Sequence, residues 1–554
     1  MLFIQNSLNF GVWRTPRATF HPAPARKGAM PRVVLLGSSP GPDAASGQST
    51  PSAALTLPAL PGCPTVIGKL HGQLASLDPA PVTIARSGDA PAYRGFPGRL
   101  VETSDLAGDL RAVADAVEHA TENLLILPAN SLIHDELIYQ ITKSKRGALA
   151  LITKEPREED ENGDTIVPDV PIDEAEPEIG DRTLEGLPVR VRASKSRVIS
   201  VGSAYHAVTR PNSVLLGPLH LHHKHAVTLA EAARELADMA HLLGPEDDLL
   251  QLLVLGLVRR GVSVGTRGRR DLFFRRLNNR EQADEAVAEM STFNEDKARL
   301  NNAVKGADGF FTTYFVSTYS RFIARWAARR GLTPNQVTLI SIALGVAAAA
   351  CFATGARPGM VAGGILIYFA FVFDCVDGQV ARYARKFGVL GAWLDATFDR
   401  FKEYVVFAGL AVGAAVSGVG DVWTLALAAL GMQSIKHLLD FSFGAANRRK
   451  PPSPLPSVSL AVSADTDLRA ALEQRKIARS GGIRGLLKMW SKAGRNRAVH
   501  WARKMIVFPI GERFAAIAIV SAFFDARVTF LTLIIWGGIA TAYSLTGRLM
   551  RSLA

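Results

Sequence analysis

The sequence predicts an α/β soluble domain followed by an all-α membrane domain of six transmembrane spans. Three observations predict this. Short apolar runs alternate with helical stretches over residues 30–290, long apolar runs dominate from residue 336 to the end, and a polar linker ending in an amphipathic, arginine-bearing stretch joins the two. The 554-residue length suggests several domains. A formal net charge of +13 and a pI of about 9.7 suit nucleic acid, anionic lipid or phosphorylated substrates. The apolar spans favour membrane and phosphate, so no nucleic-acid partner is expected. Cys63, Cys351 and Cys375 lie far apart, in the spacing of neither a disulfide framework nor a zinc site.

Residues 1–29 mix apolar residues, prolines and basic residues without a clean signal-peptide core, and are expected to be a disordered leader. Met30 is followed by PRVVLLG, which reads as the start of a domain. Within residues 30–290, the runs Val33–Leu36, Val82–Ala85, Leu124–Leu127, Ala148–Ile152 and Val214–Leu216 read as buried strands. Thr65–Leu77 and Thr228–Leu243 read as helices between them. The alternation predicts a parallel, doubly wound sheet. The acidic, proline-bearing stretch Glu155–Asp181 reads as an exposed loop. His220, His222, His223 and His225 form HLHHKH, for which a polar connection ahead of a helix is favoured over metal ligation.

Residues 291–335 read as a polar linker leading into a juxtamembrane helix, Asp308–Arg330. This helix carries Arg321, Arg325, Arg329 and Arg330 at roughly helical spacing, and is expected to lie on the cytoplasmic face with its arginines among headgroups, packing on the soluble domain being the alternative. Thr333-Pro334-Asn335 ends it. The membrane domain, 336–554, holds expected spans near 336–354, 360–382, 391–417, 422–443, 511–525 and 528–547. Arg385 and Lys386 in one connection, and a long basic run in the 445–510 insert, place these loops and both termini in the cytoplasm. An integral protein of the inner or plasma membrane is expected. The insert begins with KPPSPLP, a spacer, and continues as a basic interfacial helix, Ile483–Lys504, suited to anionic lipid.

Four aspartates concentrate the chemistry. Asp374 and Asp377 are three residues apart, and Asp395 and Asp399 four apart, so each of two helices presents an acidic pair on one face. Acids within apolar spans are costly and mark function. Together they would repel unless neutralised, which predicts a hard-cation site for Mg²⁺ or Mn²⁺. An ion-coupled or lipid-binding transport protein is the alternative of another class. It would predict internal repeats and broken helices, and the sequence has neither.

The full spacing, D-x-x-D-G-x-x-A-R, eight residues, then G-x-x-x-D-x-x-x-D, resembles the signature of the CDP-alcohol phosphotransferase (phosphatidyltransferase) family at all eight fixed positions: Asp374, Asp377, Gly378, Ala381, Arg382, Gly391, Asp395 and Asp399. The T-P-N entry to the first span extends the likeness. The resemblance implies transfer of a substituted phosphate from a CDP-alcohol donor to an acceptor alcohol, with CMP released, as in phospholipid or polyol-phosphodiester synthesis. It implies Asp374, Asp377, Asp395 and Asp399 as ligands to two ions, Asp399 also as general base, CDP against Gly378, Ala381, Arg382 and Gly391, and a homodimer. A phosphorylated acceptor would need cations, for which Lys402, Lys436, Arg448, Arg449, Lys504 and Arg513 are candidates, membrane-interface snorkelling being favoured for any single one. The DGFFTTYF segment and Gly511-Glu512-Arg513 look most like the branch of the family that acts on inositol phosphate.

The soluble domain faintly resembles sugar-phosphate nucleotidyltransferases, as in the fused inositol-phosphate enzymes. Asn130 stands where that family carries the metal-binding Asp of L-P-x-D, Asn278 and Asn279 stand in place of its later Asp-rich run, and the N-terminal loop is reduced to GSSPGPDAASGQ. An amide brings no charge to Mg²⁺. The resemblance therefore implies the fold but a non-catalytic domain; a bifunctional enzyme whose first domain makes the CDP-alcohol is the alternative.

Overall fold

The computed structural model describes residues 30–37, 52–57, 65–154, 190–194, 196–244, 247–269, 272–305, 308–386, 388–420, 422–448, 455–466, 468, 470, 474 and 497–553. The expectations for the leader, the reduced glycine-rich loop beyond Gly37, the acidic stretch and the first part of the basic insert helix lie outside these residues.

The soluble domain begins with β1 (Arg32–Leu36), α1 (Val66–Leu74), β2 (Val82–Arg86), β3 (Arg99–Thr103), α2 (Leu106–Val117), β4 (Leu124–Pro128), β5 (Ser131–Ile133), α3 (Asp135–Thr142) and β6 (Ala148–Lys154). It continues with β7 (Val191–Ser194), β8 (Arg197–Val201), β9 (Ser213–Leu221), α4 (Ala226–Asp238), α5 (Leu249–Arg259), β10 (Val264–Arg267), β11 (Phe274–Arg276), α6 (Arg280–Thr292) and α7 (Glu295–Ala303). All five apolar runs read as strands are strands. Nine strands form one sheet in the order β3-β2-β1-β4-β9-β6-β10-β8-β7, and β5 and β11 pair separately.

The sheet is mixed rather than parallel, a correction to the sequence reading. β9 lies in its centre, antiparallel to β4 and β6, and all nine of its residues are buried. Parallel neighbours need a crossover, usually helical, to bring the chain back. β9 follows the β7–β8 hairpin with no helix among the described residues between β6 and β9, so it enters in the opposite sense. A strand buried on both faces reads as a continuous apolar run whatever its direction.

Part of this domain's core comes from the far end of the chain. Leu455 and Leu460, from the insert between the fourth and fifth apolar helices, are buried in the same cluster as Val201, Val258 and Val262. Leu455 N–H donates to Gly261 O and Val458 N–H to Arg259 O, while the buried Arg259 guanidinium donates to Ser459 O (3.0 Å) and to Val462 O. Ala207 N–H donates to Ser463 O, and Asp465 accepts from Thr209 N (2.8 Å) and Thr209 Oγ1 (2.5 Å). Residues 455–465 are therefore a strap from the membrane half laid across the soluble domain.

The membrane half comprises α8 (Ser317–Arg329), α9 (Pro334–Ala353), α10 (Arg357–Tyr383), α11 (Val389–Ser417), α12 (Trp423–Arg448), α13 (Arg497–Ile506), α14 (Ile510–Phe523) and α15 (Ala526–Leu553). Thr333 opens α9 with a capping box: its side chain accepts from Gln336 N–H, and Gln336 returns a bond to Thr333 N–H. By length and composition, α9, α10 and α15 can each cross a membrane; α13 and α14, bent by 74°, make a fourth if taken as one span. α11 and α12 are not among them: the apolar part of α11 opens with Arg400, Lys402 and Glu403, and that of α12 holds Gln433, Lys436, His437 and Asp440. On α11, Gly409 and Gly413 meet α9 backbone: a Cβ there would stand 2.3 Å from Ala349 O and 2.0 Å from Phe352 O. This small-xxx-small pair lets the two helix backbones touch.

The arginines of α8 do not point away from the protein as expected for headgroup contacts. Arg325 and Arg329 pair with Asp296 of α7 at 2.9 and 3.4 Å, and Arg321 donates to Asn301. Phe322 and Trp326 are exposed, overlaid by Arg321, Arg325 and Arg330, and Arg329 and Arg330 are exposed as well. α8 thus packs on α7, within the 291–335 linker, and on α10, where Ser320 Oγ donates to Gln379 Oε1 at 3.1 Å.

Candidate functional site

α10 and α11 run antiparallel in sequence order through a short turn at residues 384–388, which puts the C-terminal part of one beside the N-terminal part of the other. That turn brings the acidic pairs together. Carboxylate oxygens of Asp374, Asp395 and Asp399 all lie within 4.8 Å of one another. Asp377, 4% exposed, faces α9 instead, where its Oδ2 accepts from Thr338 Oγ1 at 2.5 Å. Gly391 lies against Asn335 of the T-P-N phrase; a Cβ there would come 2.9 Å from its side-chain oxygen. Gly391 thus marks where the start of α11 lies next to the start of α9.

The all-oxygen, anionic donor set fits a hard divalent cation. Asp399 Oδ1 is buried and lies 3.3 Å from Lys402 Nζ. Among the described residues this is the single group of three or more acids, histidines or cysteines close enough to hold an ion. The histidines of HLHHKH do not converge: His220 is buried in β9, His222 caps the next turn through Lys224 N–H, and His225 lies against Gly147.

The cation candidates are distributed differently from expectation. Lys402, 1% exposed, is inside the acid cluster, with Nζ 2.5 Å from Asp374 Oδ1 and 2.8 Å from Ser341 Oγ. Arg513 is buried in a bidentate pair with Glu403 at 2.9 and 3.3 Å and also donates to Phe508 O. Lys436 is buried and donates to Val507 O (2.8 Å) and Phe508 O (3.3 Å), closing the chain between α13 and α14. None of these three is a snorkelling residue. Lys504 Nζ donates to Asp308 O at 2.8 Å. Arg448 ends α12, and Arg449 lies outside the described residues.

Arg382 donates to the backbone oxygen of Ala303 and so faces the linker from the soluble domain. Its guanidinium also lies near Asp308, whose carboxyl burial raises above its ordinary value against the pull of Lys305, Arg382 and Lys504. Gly378 sits one turn earlier under that guanidinium, and Ala381 stands beside Arg382 on the same helix. The DGFFTTYF segment and Gly511-Glu512-Arg513 touch: Phe311 N–H donates to Glu512 Oε1 at 3.3 Å, and Gly309 and Gly511 have no room for a side chain against Glu512 and Thr312. Sequence reasoning missed Ser341, Gly345 and Glu403. Ser341 and Gly345 are four apart on α9, one face, and that spacing was the available signal.

In the soluble domain, Asn130 and Asn278, singled out as stand-ins for carboxylates, are neighbours. Asn130 Nδ2 donates to Asn278 Oδ1 at 3.1 Å and to Leu277 O at 3.0 Å.

Residues 331–454 match the family model of CDP-alcohol phosphatidyltransferase, and the membrane half carries a domain of that family. The chain is 32% identical over 141 residues to a bifunctional IPC transferase and DIPP synthase of Rubrobacter xylanophilus, covering 26% of this chain and 30% of that protein. It is 35% identical over 127 residues to a phosphatidylinositol phosphate synthase of Streptomyces avermitilis, covering 23% of this chain and 48% of that protein. The chain thus matches less than half the length of these curated relatives. Among solved structures, the inositol-1-phosphate CTP transferase of T. maritima matches with a TM-score of 0.32 and 12% identity, covering 48% of this chain and 97% of that one.

Proposed function

We propose that this protein is an integral-membrane transferase that moves a substituted phosphate group from a CDP-alcohol to an acceptor alcohol and releases CMP. The observation that carries the reading is the convergence of Asp374, Asp395 and Asp399 from two helices, in the register of the family signature. The relatives named above make an inositol-type acceptor the first to test. Six spans, with the site and both termini cytoplasmic, give the donor access from the side where CDP-linked substrates are made; anionic lipid would meet the basic insert, and a homodimer is the expected assembly.

A divalent cation, Mg²⁺ or Mn²⁺, held by Asp374, Asp395 and Asp399 would neutralise charge on the phosphoryl oxygens. Asp377 holds the start of α9 through Thr338 and so fixes the wall beside the cluster. Asp399 accepts the proton of the attacking hydroxyl as the new P–O bond forms and the bond to the CMP oxygen breaks. Gly378 and Gly391 leave the nucleotide room to approach the helix backbones.

The soluble domain is read as a non-catalytic module. The Asn130–Asn278 amide pair supports this, because neither amide brings charge to a cation.

The test is CMP release from membranes carrying the full chain, with CDP-diacylglycerol or CDP-inositol as donor, inositol phosphate as acceptor, and Mg²⁺. Release that falls by about 10²-fold or more in Asp399→Asn is expected for loss of a general base. Equal release by the variant, or none from either donor by folded wild type, would refute it. CTP-dependent formation of a CDP-alcohol by the full chain would restore the bifunctional reading.

A further inference from the structure

We propose that the groove between α13 and α15 holds one acyl chain of an anionic phospholipid, whose phosphate is met by the basic residues of α13. This deepens the anionic-lipid expectation above by naming a site. It depends on the integral-membrane reading and not on the transferase chemistry.

The groove has a volume of about 530 Å³ and is lined by Met505 and Ile506, from the last turn of α13, and by Thr532, Ile535, Trp536 and Ile539 of α15. Ligand sites commonly have volumes of about 300–1,000 Å³. The polar groups on its wall are turned away from it. Thr532 Oγ1 donates to Val528 O at 2.9 Å, and Trp536 Nε1 donates to Met505 O at 3.3 Å. The Trp536 ring is stacked on the buried Phe508, with centroids 4.4 Å apart. Met505, Ile506, Ile535 and Ile539 are exposed. An occupant therefore gains by apolar contact and needs no hydrogen-bonding group in the groove.

The charge beside the groove selects the head. α13 is bent by 74° from α14, so it runs across the direction of that apolar helix, the attitude of a helix lying in the interface. Between Glu473 and Glu512 the chain carries ten lysines and arginines and no acid, and Arg497, Arg503 and Lys504 of these belong to α13. Arg503 precedes Ile506 by three residues, so a cation and the groove wall share one side of the helix. An apolar chain carrying an anionic phosphate satisfies both features. A neutral lipid would satisfy only the groove. A second copy suits neither: a symmetric contact through this face would set α13 against α13, cation against cation.

The test uses the full chain in phosphatidylcholine nanodiscs holding a small fraction of phosphatidylglycerol with a photoactivatable diazirine in one acyl chain. Crosslinks are mapped by mass spectrometry. Label is expected at Met505, Ile506, Ile535 or Ile539. Unlabelled phosphatidylglycerol should compete it away about fivefold more strongly than the same amount of phosphatidylcholine, the ratio given by one cation near the phosphate. Ile519 and Phe523, exposed on α14, should label without preference. Ile539→Trp, which fills the groove, should abolish its label, and Arg503→Gln should lower the preference about fivefold. An unlabelled groove in folded wild type, as when a second copy covers it, would overturn the proposal. So would equal competition by the two lipids, or undiminished label in folded Ile539→Trp. Should that variant not fold, the competition in wild type decides alone. Groove label without CMP release from any donor would leave the lipid site standing and remove the transferase reading; CMP release with an unlabelled groove would do the reverse.

Discussion

Replacing Leu460 by Ala should loosen the strap that ties the membrane half to the soluble domain. Leu460 is 1% exposed in the α/β core, yet it belongs to the insert between α12 and α13. Leu→Ala at a fully buried site costs about 2–5 kcal/mol, the transfer term plus the cavity left behind. The strap is an edge element, free to collapse inward, so about 3 kcal/mol is the fair value, and at 1.4 kcal/mol per decade this is about 10²-fold in an opening equilibrium. The assay is hydrogen exchange with mass spectrometry on full-length protein. The informative amides are Ala207 and Thr209, which donate to Ser463 O and Asp465 Oδ2 across the contact. They should exchange about 10²-fold faster in Leu460→Ala, while strands β1 and β4 keep their protection. Ser457→Ala, at an exposed strap position, should change nothing. Unchanged rates at Ala207 and Thr209 would refute the reasoning, because the leucine would then not be what holds the strap down.

Two further outcomes are expected. Asn130→Asp should destabilise the soluble domain by about 3 kcal/mol, because it sets a buried carboxylate against Leu277 O and Asn278 Oδ1 in place of two donated bonds; Mg²⁺ that restored the thermal midpoint would reveal a latent cation site and contradict the non-catalytic reading. Gly413→Ala should lower stability in detergent by about 1–3 kcal/mol through overpacking of α11 on Phe352 O of α9, read as a fall in thermal midpoint, whereas an unchanged midpoint would show that the helices can part freely there.

The sequence made local features legible and hid those made by distant residues. The aspartates could be placed because their three- and four-residue spacings lie within single helices, where face follows from number. The strands could be placed because a buried strand is a short apolar run between breakers. The direction of β9 could not, because burial on both faces removes alternation and leaves the same letters for either sense. The apolar helices of the membrane half were legible from composition, but α11 and α12 also carry charged residues within their apolar stretches, of which Lys402, Glu403 and Lys436 are buried. Lys402 reads as a lysine in an apolar stretch, for which snorkelling is the ordinary expectation. Only the position of Ser341 and Gly345, some sixty residues earlier, turns it inward. The strap was invisible for the same reason. KPPSPLP reads as a spacer, and nothing in the letters that follow says that Leu455 and Leu460 have a core waiting for them two hundred residues back.

These long-range contacts tie the α/β domain to the geometry of the acidic site. The turn at 384–388 sets the distance between the two acidic pairs, since it is the connection from α10 to α11. Arg385 in that turn has φ of +53°, a conformation that costs a non-glycine residue about 1 kcal/mol or more. It is held there from the soluble side. Its Nε lies 2.8 Å from Glu136 Oε2 in the first turn of α3, both side chains largely buried, and its guanidinium lies over Tyr139. A charge-assisted bond of this kind contributes about 1.5–3 kcal/mol, enough to offset the strain. Tyr383, two residues earlier, donates to Asp296 of α7, and Arg382 to Ala303 O at the end of the same helix. The end of the helix that carries Asp374 and Asp377 is therefore held through three residues, Arg382, Tyr383 and Arg385, by α7 and α3, and the strap grips the α/β domain in return. A free turn would sample other conformations and let the acidic pairs drift by more than the fraction of an ångström a cation site tolerates. The contacts at Arg382, Tyr383 and Arg385 thus couple the α/β domain to the geometry of the acidic site, whether or not that domain has chemistry of its own.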